Sequence, residues 1–239
     1  MINLKFAFLV LEEHPYGREM LQALLAEGLI PHVVIQEVSA VGDQERQKFL
    51  DRIAGQPVPP TINQLLNQTH VPVYLVSNHN NAECEQILKE EDCDLIILGG
   101  TRIIKNNILT LGKLGTLNCH PGLLPELRGS SSSGWALYQD LPQGATAHFI
   151  DPGIDTGDIV QRKQLNVYRN DTFESINYRL AQLAGELMAN AIKQVGAGTV
   201  HRTAQDSSIG TTYRVIPEEL LAIGKQRLSN GSYSHFAQG

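Results

Sequence analysis

The sequence predicts one α/β domain built on a mostly parallel, twisted sheet with helices on both faces. The chain opens with an apolar run at residues 3–11, a helical pattern, and a second apolar run at residues 31–38. A strand–helix–strand unit of this kind closes with a right-handed crossover, which makes the two strands parallel. Residues 94–98 form an apolar run without polar alternation, which is typical of a strand covered on both faces.

The first half of the chain continues this alternation. Residues 40–67 are charged and then proline-rich, which favours a solvated helix, a proline loop and a short helix; a lid or partner site is the alternative. Residues 71–76 are the next predicted strand, and Asn78 or Asn81 caps the helix that follows. Gly28 ends the first helix, whose apolar residues recur at helical spacing: Met20, Leu21, Leu24 and Leu25.

The second half supplies three more strands and a long helix. Residues 115–119 and 145–150 are predicted strands, and residues 158–167 are expected at the edge of the sheet. A capping box with Asp171 as the cap begins a helix whose apolar stripe belongs to the core.

The chain turns polar near residue 200. We expect a main domain over residues 1–199 and an extension over residues 200–239 that packs on this domain or on the partner of a homodimer. Within the extension, residues 206–210 are predicted to form a loop, and Pro217 begins a helix.

Composition excludes several classes of protein. The 239 residues carry a net charge of −6, which argues against a nucleic-acid partner because phosphate-binding domains are usually basic. The three cysteines show no metal-site or disulfide spacing, so we expect a reducing, cytoplasmic location. The apolar residues 4–11 are too few for a membrane span and are followed at once by charged residues, unlike a signal peptide.

Three side chains near two predicted strand ends have complementary chemistry. Asn118 can donate a hydrogen bond to an oxyanion, His120 can exchange a proton near pH 7, and the Asp155 carboxylate can orient a histidine. No G-x-S-x-G elbow supplies a nucleophile, so the substrate itself would be the nucleophile. The alternative is that His120 is an ordinary loop or core group and that Asp155 only caps a turn.

A glycine pair follows the buried run at residues 94–98. Gly99 and Gly100 let a ligand approach the backbone at the strand edge where open α/β sheets bind ligands; a plain turn is the alternative. The loop after the first strand has the single Gly17 and lacks G-x-G-x-x-G, which makes a dinucleotide cofactor improbable.

A run of four serines follows Arg128 and Gly129. Such a run can bind an anion or can cap a helix, and we favour the cap. The Arg128 guanidinium is a candidate for a bidentate contact with a carboxylate of a ligand.

Two segments resemble the signature of the folate-dependent formyltransferases. Residues 118–129, NCHPGLLPELRG, are similar to the family motif N-x-H-P-x-L-L-P-x-x-R-G. Residues 148–157, HFIDPGIDTG, are similar to a second motif that pairs His-Phe with a later Asp-x-Gly. By this resemblance Asn118, His120 and Asp155 inherit catalytic roles. Cys119 departs from the branched apolar residue that is common in the family.

The resemblance also implies a formyl donor and its binding residues. Residues 99–104, GGTRII, are similar to a family stretch whose backbone contacts the pterin of the folate, although Gly100 replaces a bulky residue. The implied donor is 10-formyltetrahydrofolate, without a metal. Its predicted contacts are Gly99, Arg102, Ile103, Ile104, Asp151 and Gly153.

The implied activity is transfer of the formyl group to the amine of a small acceptor, such as an amino-sugar nucleotide or an amino acid. Two rivals are a 10-formyltetrahydrofolate hydrolase and a folate-binding module without turnover. The hydrolase usually carries a domain ahead of the catalytic one, whereas this sequence starts at the first strand. About forty residues after position 200 are too few for the tRNA-binding domain of methionyl-tRNA formyltransferases.

Overall fold

A computed structural model describes residues 4–206 and 208–238 of the chain. Its strands are β1 Phe6–Leu11, β2 Val33–Glu37, β3 Val73–Val76, β4 Leu95–Leu98, β5 Gly115–His120, β6 Leu127–Gly129, β7 Gly144–Phe149, β8 Ile159–Gln164 and β9 Thr211–Tyr213. Its helices are α1 Pro15–Ala26, α2 Ala40–Arg52, α3 Ile62–Leu65, α4 Ala82–Glu91, α5 Asn106–Leu109, α6 Ser132–Gln139, α7 Phe173–Gly196 and α8 Glu218–Ser229. None of the helices in the described ranges combines the length and apolar character needed to cross a bilayer.

The predicted fold class is confirmed. Seven strands form one sheet in the order β3-β2-β1-β4-β5-β7-β8, and the first five of these are parallel. β7 pairs antiparallel with β5 and β8 antiparallel with β7, so the sheet is mixed on this side. A separate two-stranded sheet pairs β6 with β9.

The core lies on both faces of the large sheet. Along β1, Phe6, Phe8 and Val10 belong to one buried cluster, whereas Ala7 and Leu9 belong to another. Because successive side chains of a strand point to opposite faces, the two clusters lie on opposite sides of the sheet. Continuous burial on both sides explains why the sequence of this strand shows no polar alternation.

Two local features differ from the sequence-based expectations. Thr172, not Asp171, is the cap of α7, because its hydroxyl accepts from the Ser175 N–H while Ser175 returns a bond to the Thr172 N–H. Asp171 instead accepts from Arg179. The short strand β6 was not predicted, since it forms only by pairing with the distant β9.

The segment after residue 200 contacts the rest of the chain along its length. α8 packs on α6, and the buried Tyr233 donates its hydroxyl to the Leu141 carbonyl at 2.7 Å. Ser234 and His235 both bond to Asp140. These contacts give hydrogen-bond partners to the polar groups of Asp140 and Leu141 at the end of α6, where Asp140 adopts a left-handed conformation.

Helices α1 and α7 cross in close contact at Gly185. A Cβ atom at this position would stand 2.7 Å from the Cβ of Ala23, which is closer than two carbon atoms can pack. Because Gly185 has no Cβ atom, the two helices that cover one face of the sheet can pack at this short distance.

We expect Gly185→Ala to lower the free energy of unfolding by about 1–3 kcal/mol through overpacking. Helix propensity alone would give the opposite sign, with a gain of about 1 kcal/mol. Urea denaturation measures the difference. Ala23→Gly in the Gly185→Ala background removes the clash and should recover part of the loss; a stabilised single variant would contradict the packing.

Candidate active site

The loop after β7 brings Asp155 to His120 by a route that the sequence did not reveal. Because β7 is antiparallel to β5, its carboxyl end does not meet the carboxyl end of β5. Its end lies at the start of β5, where the Ile150 N–H donates to the Thr116 carbonyl at 2.8 Å. Residues 151–158 then turn back along the sheet to reach His120.

Asp155 is the centre of the site. Its Oδ2 accepts from the Gly129 N–H at 2.8 Å and lies 3.4 Å from Nδ1 of His120, while its Oδ1 lies 3.6 Å from Nε2 of His148. Its backbone has a φ of 54°, in the left-handed region that aspartate tolerates better than most residues. The turn therefore aims this carboxylate at both histidines and at one backbone amide.

Asn118 joins the site through His148. The two residues are paired across β5 and β7, and Nδ2 of Asn118 lies 3.3 Å from Nε2 of His148. Nδ1 of His148 lies 2.9 Å from the Phe149 carbonyl, which fixes its proton on Nδ1 and leaves Nε2 as the acceptor. Burial lowers the pKa of His148 to about 4, so the ring is neutral near pH 7 and orients the Asn118 amide.

His148 is a site residue that the residue types alone did not single out. The sequence placed it inside a motif, but its contact with Asn118 depends on the strand register, which the motif does not give. Both histidines are buried, with His148 completely inaccessible and His120 only 4% exposed.

Both ring nitrogens of His120 have partners. Nε2 lies 2.8 Å from the Leu127 carbonyl and 2.9 Å from the Ser132 hydroxyl, and Nδ1 faces Asp155. A carbonyl oxygen at this distance requires a proton on Nε2, so Nδ1 is the nitrogen that can exchange a proton with the carboxylate. The trio thus combines an amide donor, an imidazole and a carboxylate.

The glycine turn lies beside this trio. Leu98 pairs with Asn118, so the turn begins one residue beyond that register position. Gly100 has a φ of 84°, and a Cβ there would stand 3.3 Å from Nδ1 of His14 and 3.6 Å from the ring of Tyr16. These two side chains fill the space that a bulky residue at Gly100 would need.

The backbone after the turn presents unpaired polar groups. Within the described part of the chain, the N–H and carbonyl groups of Arg102 and Ile104 have no hydrogen-bond partner. Asn80 holds this segment from outside, because it donates to the Ile103 carbonyl at 2.9 Å and accepts from the Lys105 N–H at 2.7 Å. A planar ligand with donors and acceptors along one edge fits such a backbone.

The Arg102 side chain is part of a buried charge cluster. Its guanidinium donates to the fully buried carboxylate of Glu37, which also accepts from the Ser39 hydroxyl and the His79 N–H. Burial alone would raise the pKa of Glu37, but these hydrogen bonds lower it below its usual range. The cluster fastens the segment after β4 to the end of β2.

Asp151 and Gly153 form the first part of the loop that carries Asp155. Oδ1 of Asp151 accepts from the Gly153 N–H at 3.0 Å and from the Thr156 hydroxyl at 2.6 Å. The side chain of Asp151 therefore stabilises the turn from within, and the predicted contact of Asp151 and Gly153 with a folate stays a prediction.

A cleft of about 270 Å³ adjoins the trio. Tyr16, Lys48, Phe49 and Arg52 form one wall, and residues 129–133 form the other. The backbone N–H groups of residues 131–134, at the start of α6, have no acceptor within the described ranges. Glu45 lines the same wall and pairs with Lys48, so Arg52 and the unpaired N–H groups are what favour a negatively charged ligand group.

The prediction that a serine of the run caps α6 is wrong. Ser131 precedes α6 with a φ of 57°, and no serine side chain caps the helix. Ser132 instead bonds to His120, and Ser133 donates to Asn177 at 2.8 Å. Arg128 is buried and donates through Nη2 to the Ile209 carbonyl at 2.6 Å, while its Nε has no hydrogen-bond partner in the described ranges. The contact of Arg128 with a ligand carboxylate stays a prediction.

A scan of protein-family models matches residues 4–192 to the formyl transferase family. The chain is 30% identical over 208 residues to the methionyl-tRNA formyltransferase of Methylacidiphilum infernorum, which covers 85% of this chain and 62% of that protein. The chain thus spans less than two thirds of the length of this relative.

Solved structures give the same fold. The formyltransferase PseJ from Anoxybacillus kamchatkensis, in complex with UDP-4,6-dideoxy-4-formamido-L-AltNAc and tetrahydrofolate, matches with a TM-score of 0.54 and 28% identity, over 65% of this chain and 80% of that one. Glycinamide ribonucleotide transformylase 1 from Symbiobacterium toebii matches with a TM-score of 0.64 and 21% identity, over 86% and 95% of the two chains.

His14 makes the stability of the protein depend on pH. Burial lowers its pKa to about 4; Glu45 opposes this shift, and Arg52 and Arg46 add to it. In the unfolded chain His14 binds a proton below about pH 6.5, whereas in the folded chain it binds one only below about pH 4. The free energy of unfolding therefore falls as the pH drops from about 6.5 to about 4.

In the variant His14→Gln, we expect the loss of unfolding free energy between pH 7 and pH 5 to be about 2 kcal/mol smaller than in the wild type. Urea titrations at both pH values measure it. His70→Gln, at an exposed position, is the control and should leave the pH dependence unchanged. An equal loss in all three proteins would show that His14 is not buried in its neutral form.

Proposed function

Because this chain belongs to the formyl transferase family, we propose that it transfers the formyl group of 10-formyltetrahydrofolate to the amine of a small-molecule acceptor. The observation that carries the proposal is the Asp155 carboxylate, which contacts His120, His148 and the Gly129 amide beside an open cleft. Asn118 completes the set of groups that formyl transfer needs.

In the proposed reaction the acceptor nitrogen attacks the formyl carbon and the carbonyl oxygen becomes an oxyanion. The Asn118 amide donates a hydrogen bond to this oxyanion, and one such donor is worth roughly 3–4 kcal/mol. His120, whose Nε2 proton is bonded to the Leu127 carbonyl, stabilises the oxyanion through the positive charge that it gains when Nδ1 takes up a proton. Asp155 holds the charge state of His120 and passes the proton that the attacking amine releases. The C–N bond to the folate then breaks, and this proton ends on the folate nitrogen.

The donor is assigned to the segment after β4. Its support is the unpaired backbone of Arg102 and Ile104, one strand away from Asn118, which suits the donor and acceptor groups of a pterin ring. The Glu37 cluster and Asn80 keep this backbone in a fixed position, so the backbone loses little conformational freedom when the folate binds.

The acceptor is assigned to the cleft lined by Lys48, Arg52 and the serine run. Lys48 already pairs with Glu45 at 2.7 Å, whereas the Arg52 guanidinium forms no ion pair or hydrogen bond in the described part of the chain. The acceptor therefore carries a carboxylate or phosphate group several bonds away from its amine. The net charge of −6 favours a small anion over a polyanion such as tRNA.

Mass spectrometry of reactions with 10-formyltetrahydrofolate and a panel of amines tests the proposal. A product heavier by one carbonyl group supports it. Formate release without an acceptor would identify a hydrolase. If calorimetry shows folate binding but neither product forms, the protein would be a folate-binding module without turnover.

Substitution of the trio should lower turnover. We expect Asn118→Ala, His120→Ala and Asp155→Ala each to reduce kcat by about a hundredfold or more, because each removes a group that acts on the transition state. Folate affinity, measured by calorimetry, should stay within a few-fold, because residues 99–104, the segment after β4 assigned to the folate, contain none of the three substituted residues.

Asp151→Ala is the matched control, since Asp151 lies on the same loop but bonds only within its turn. It should cost much less than Asp155→Ala. The double variant of His120 and Asp155 should be little worse than the poorer single variant, because residues that act as a unit are non-additive. Near-normal turnover in His120→Ala would refute the assignment of roles.

Arg52 gives a separate prediction about the acceptor. Arg52→Ala should raise KM for the acceptor about tenfold or more and leave KM for the folate unchanged, because a charge-assisted hydrogen bond is lost only on the acceptor side. Steady-state kinetics measure both constants. Lys113→Ala, which removes an exposed lysine paired with Asp92, is the control; equal effects on both substrates would contradict the assignment.

A further inference from the structure

Gln205 bonds to the backbone of the loop that carries the central carboxylate. Its side-chain Nε2 donates to the Asp155 carbonyl at 2.8 Å and to the Gly157 carbonyl at 2.7 Å. One amide group thus bridges two carbonyls on either side of Thr156. Residue 205 lies beyond residues 4–192, the range that matches the family.

The orientation of this amide is fixed by its two acceptors. A flipped amide would turn its oxygen toward two carbonyl oxygens, which repel it, so the NH₂ group must face the loop. The side-chain oxygen of Gln205 is buried and has no hydrogen-bond partner among residues 4–206 and 208–238. Leaving a buried acceptor unpaired has a cost, and the two bonds to the loop offset it.

Neighbouring residues hold this segment against the sheet. Thr203 exchanges two backbone hydrogen bonds with Ile159, at the start of β8, and Arg202 lies over the ring of Phe149. Gln205 is thereby anchored just beside the end of the Asp155 loop. The two hydrogen bonds from Gln205 hold the loop where Asp155 has a left-handed backbone conformation, which costs energy and would relax if these bonds were lost.

The same extension holds the other partner of Asp155. β9 pairs with β6 so that Gly129 lies opposite Tyr213, and the Ser130 N–H donates to the Tyr213 carbonyl at 2.9 Å. A Cβ at Gly129 would stand 2.2 Å from that carbonyl oxygen. Both ends of the hydrogen bond between Gly129 and Asp155 are therefore positioned by residues 203–205 and 211–213.

We propose that Gln205 is a positioning residue for formyl transfer: it holds the left-handed backbone of Asp155 so that the carboxylate meets His120 and the Gly129 amide. This inference rests on the proposed function for its kinetic consequence. Through Gln205, which touches no substrate itself, the extension would help to shape the active site.

The variant Gln205→Leu removes both bonds at nearly the same volume. We expect kcat to fall about 10- to 100-fold, the loss typical of a misplaced catalytic group, while KM for the folate changes less than twofold. In an Asp155→Ala background the same substitution should have no further effect on kcat, because its target is gone. Gln205→Met, which keeps the length of the side chain, repeats the measurement if the leucine variant does not fold.

Hydrogen exchange at the Gly129 amide is a second readout that needs no activity. Loss of the Asp155 partner should speed its exchange in Gln205→Leu, whereas Thr203→Ala, an exposed control on the same segment, should not. A wild type that transfers no formyl group would refute the proposed function, and Gly129 exchange would still test the positioning. Unchanged exchange, unchanged kcat, or an equal loss of kcat without Asp155 would overturn the role of Gln205.

Discussion

The hydrogen bond from the Gly129 amide to the Asp155 carboxylate is the contact on which the site depends. It joins the two motif loops, one after β5 and one after β7, that no strand pairing brings together directly. A charged acceptor makes this bond roughly twice as strong as a neutral one. With it in place, the same carboxylate reaches His120 and His148, and His148 in turn orients Asn118.

The sequence predicted what is local or periodic. Continuous apolar runs identified the parallel strands, and two motifs identified Asn118, His120 and Asp155 as one group. The antiparallel direction of β7 escaped prediction because an apolar run has no direction, and the route of the Asp155 loop depends on that direction. The contacts of Gln205 and the pairing of β6 with β9 escaped because they join segments far apart in sequence, where neither propensity nor spacing carries a signal.

The proposed folate edge and the cleft differ in how their polar groups are bonded. In the cluster around Glu37, the carboxylate accepts hydrogen bonds from Arg102, Ser39 and the His79 N–H, and it fastens the proposed folate edge to the sheet. The cleft opposite is lined by long side chains on α2 and by unpaired N–H groups at the start of α6. This difference suits an enzyme that receives an invariant donor on a rigid edge and a variable acceptor in a cleft.

The pairing of β6 with β9 has a consequence for how the protein is made. Synthesis runs from the amino end, and domains fold as their residues leave the ribosome. The whole of the family-matched range can emerge before Gln205 and β9 exist, so the sheet can form while the Asp155 loop still lacks its support. The hydrogen bonds that hold the Asp155 loop and β6 can therefore form only after Gln205 and β9 have been synthesised, later than the sheet itself.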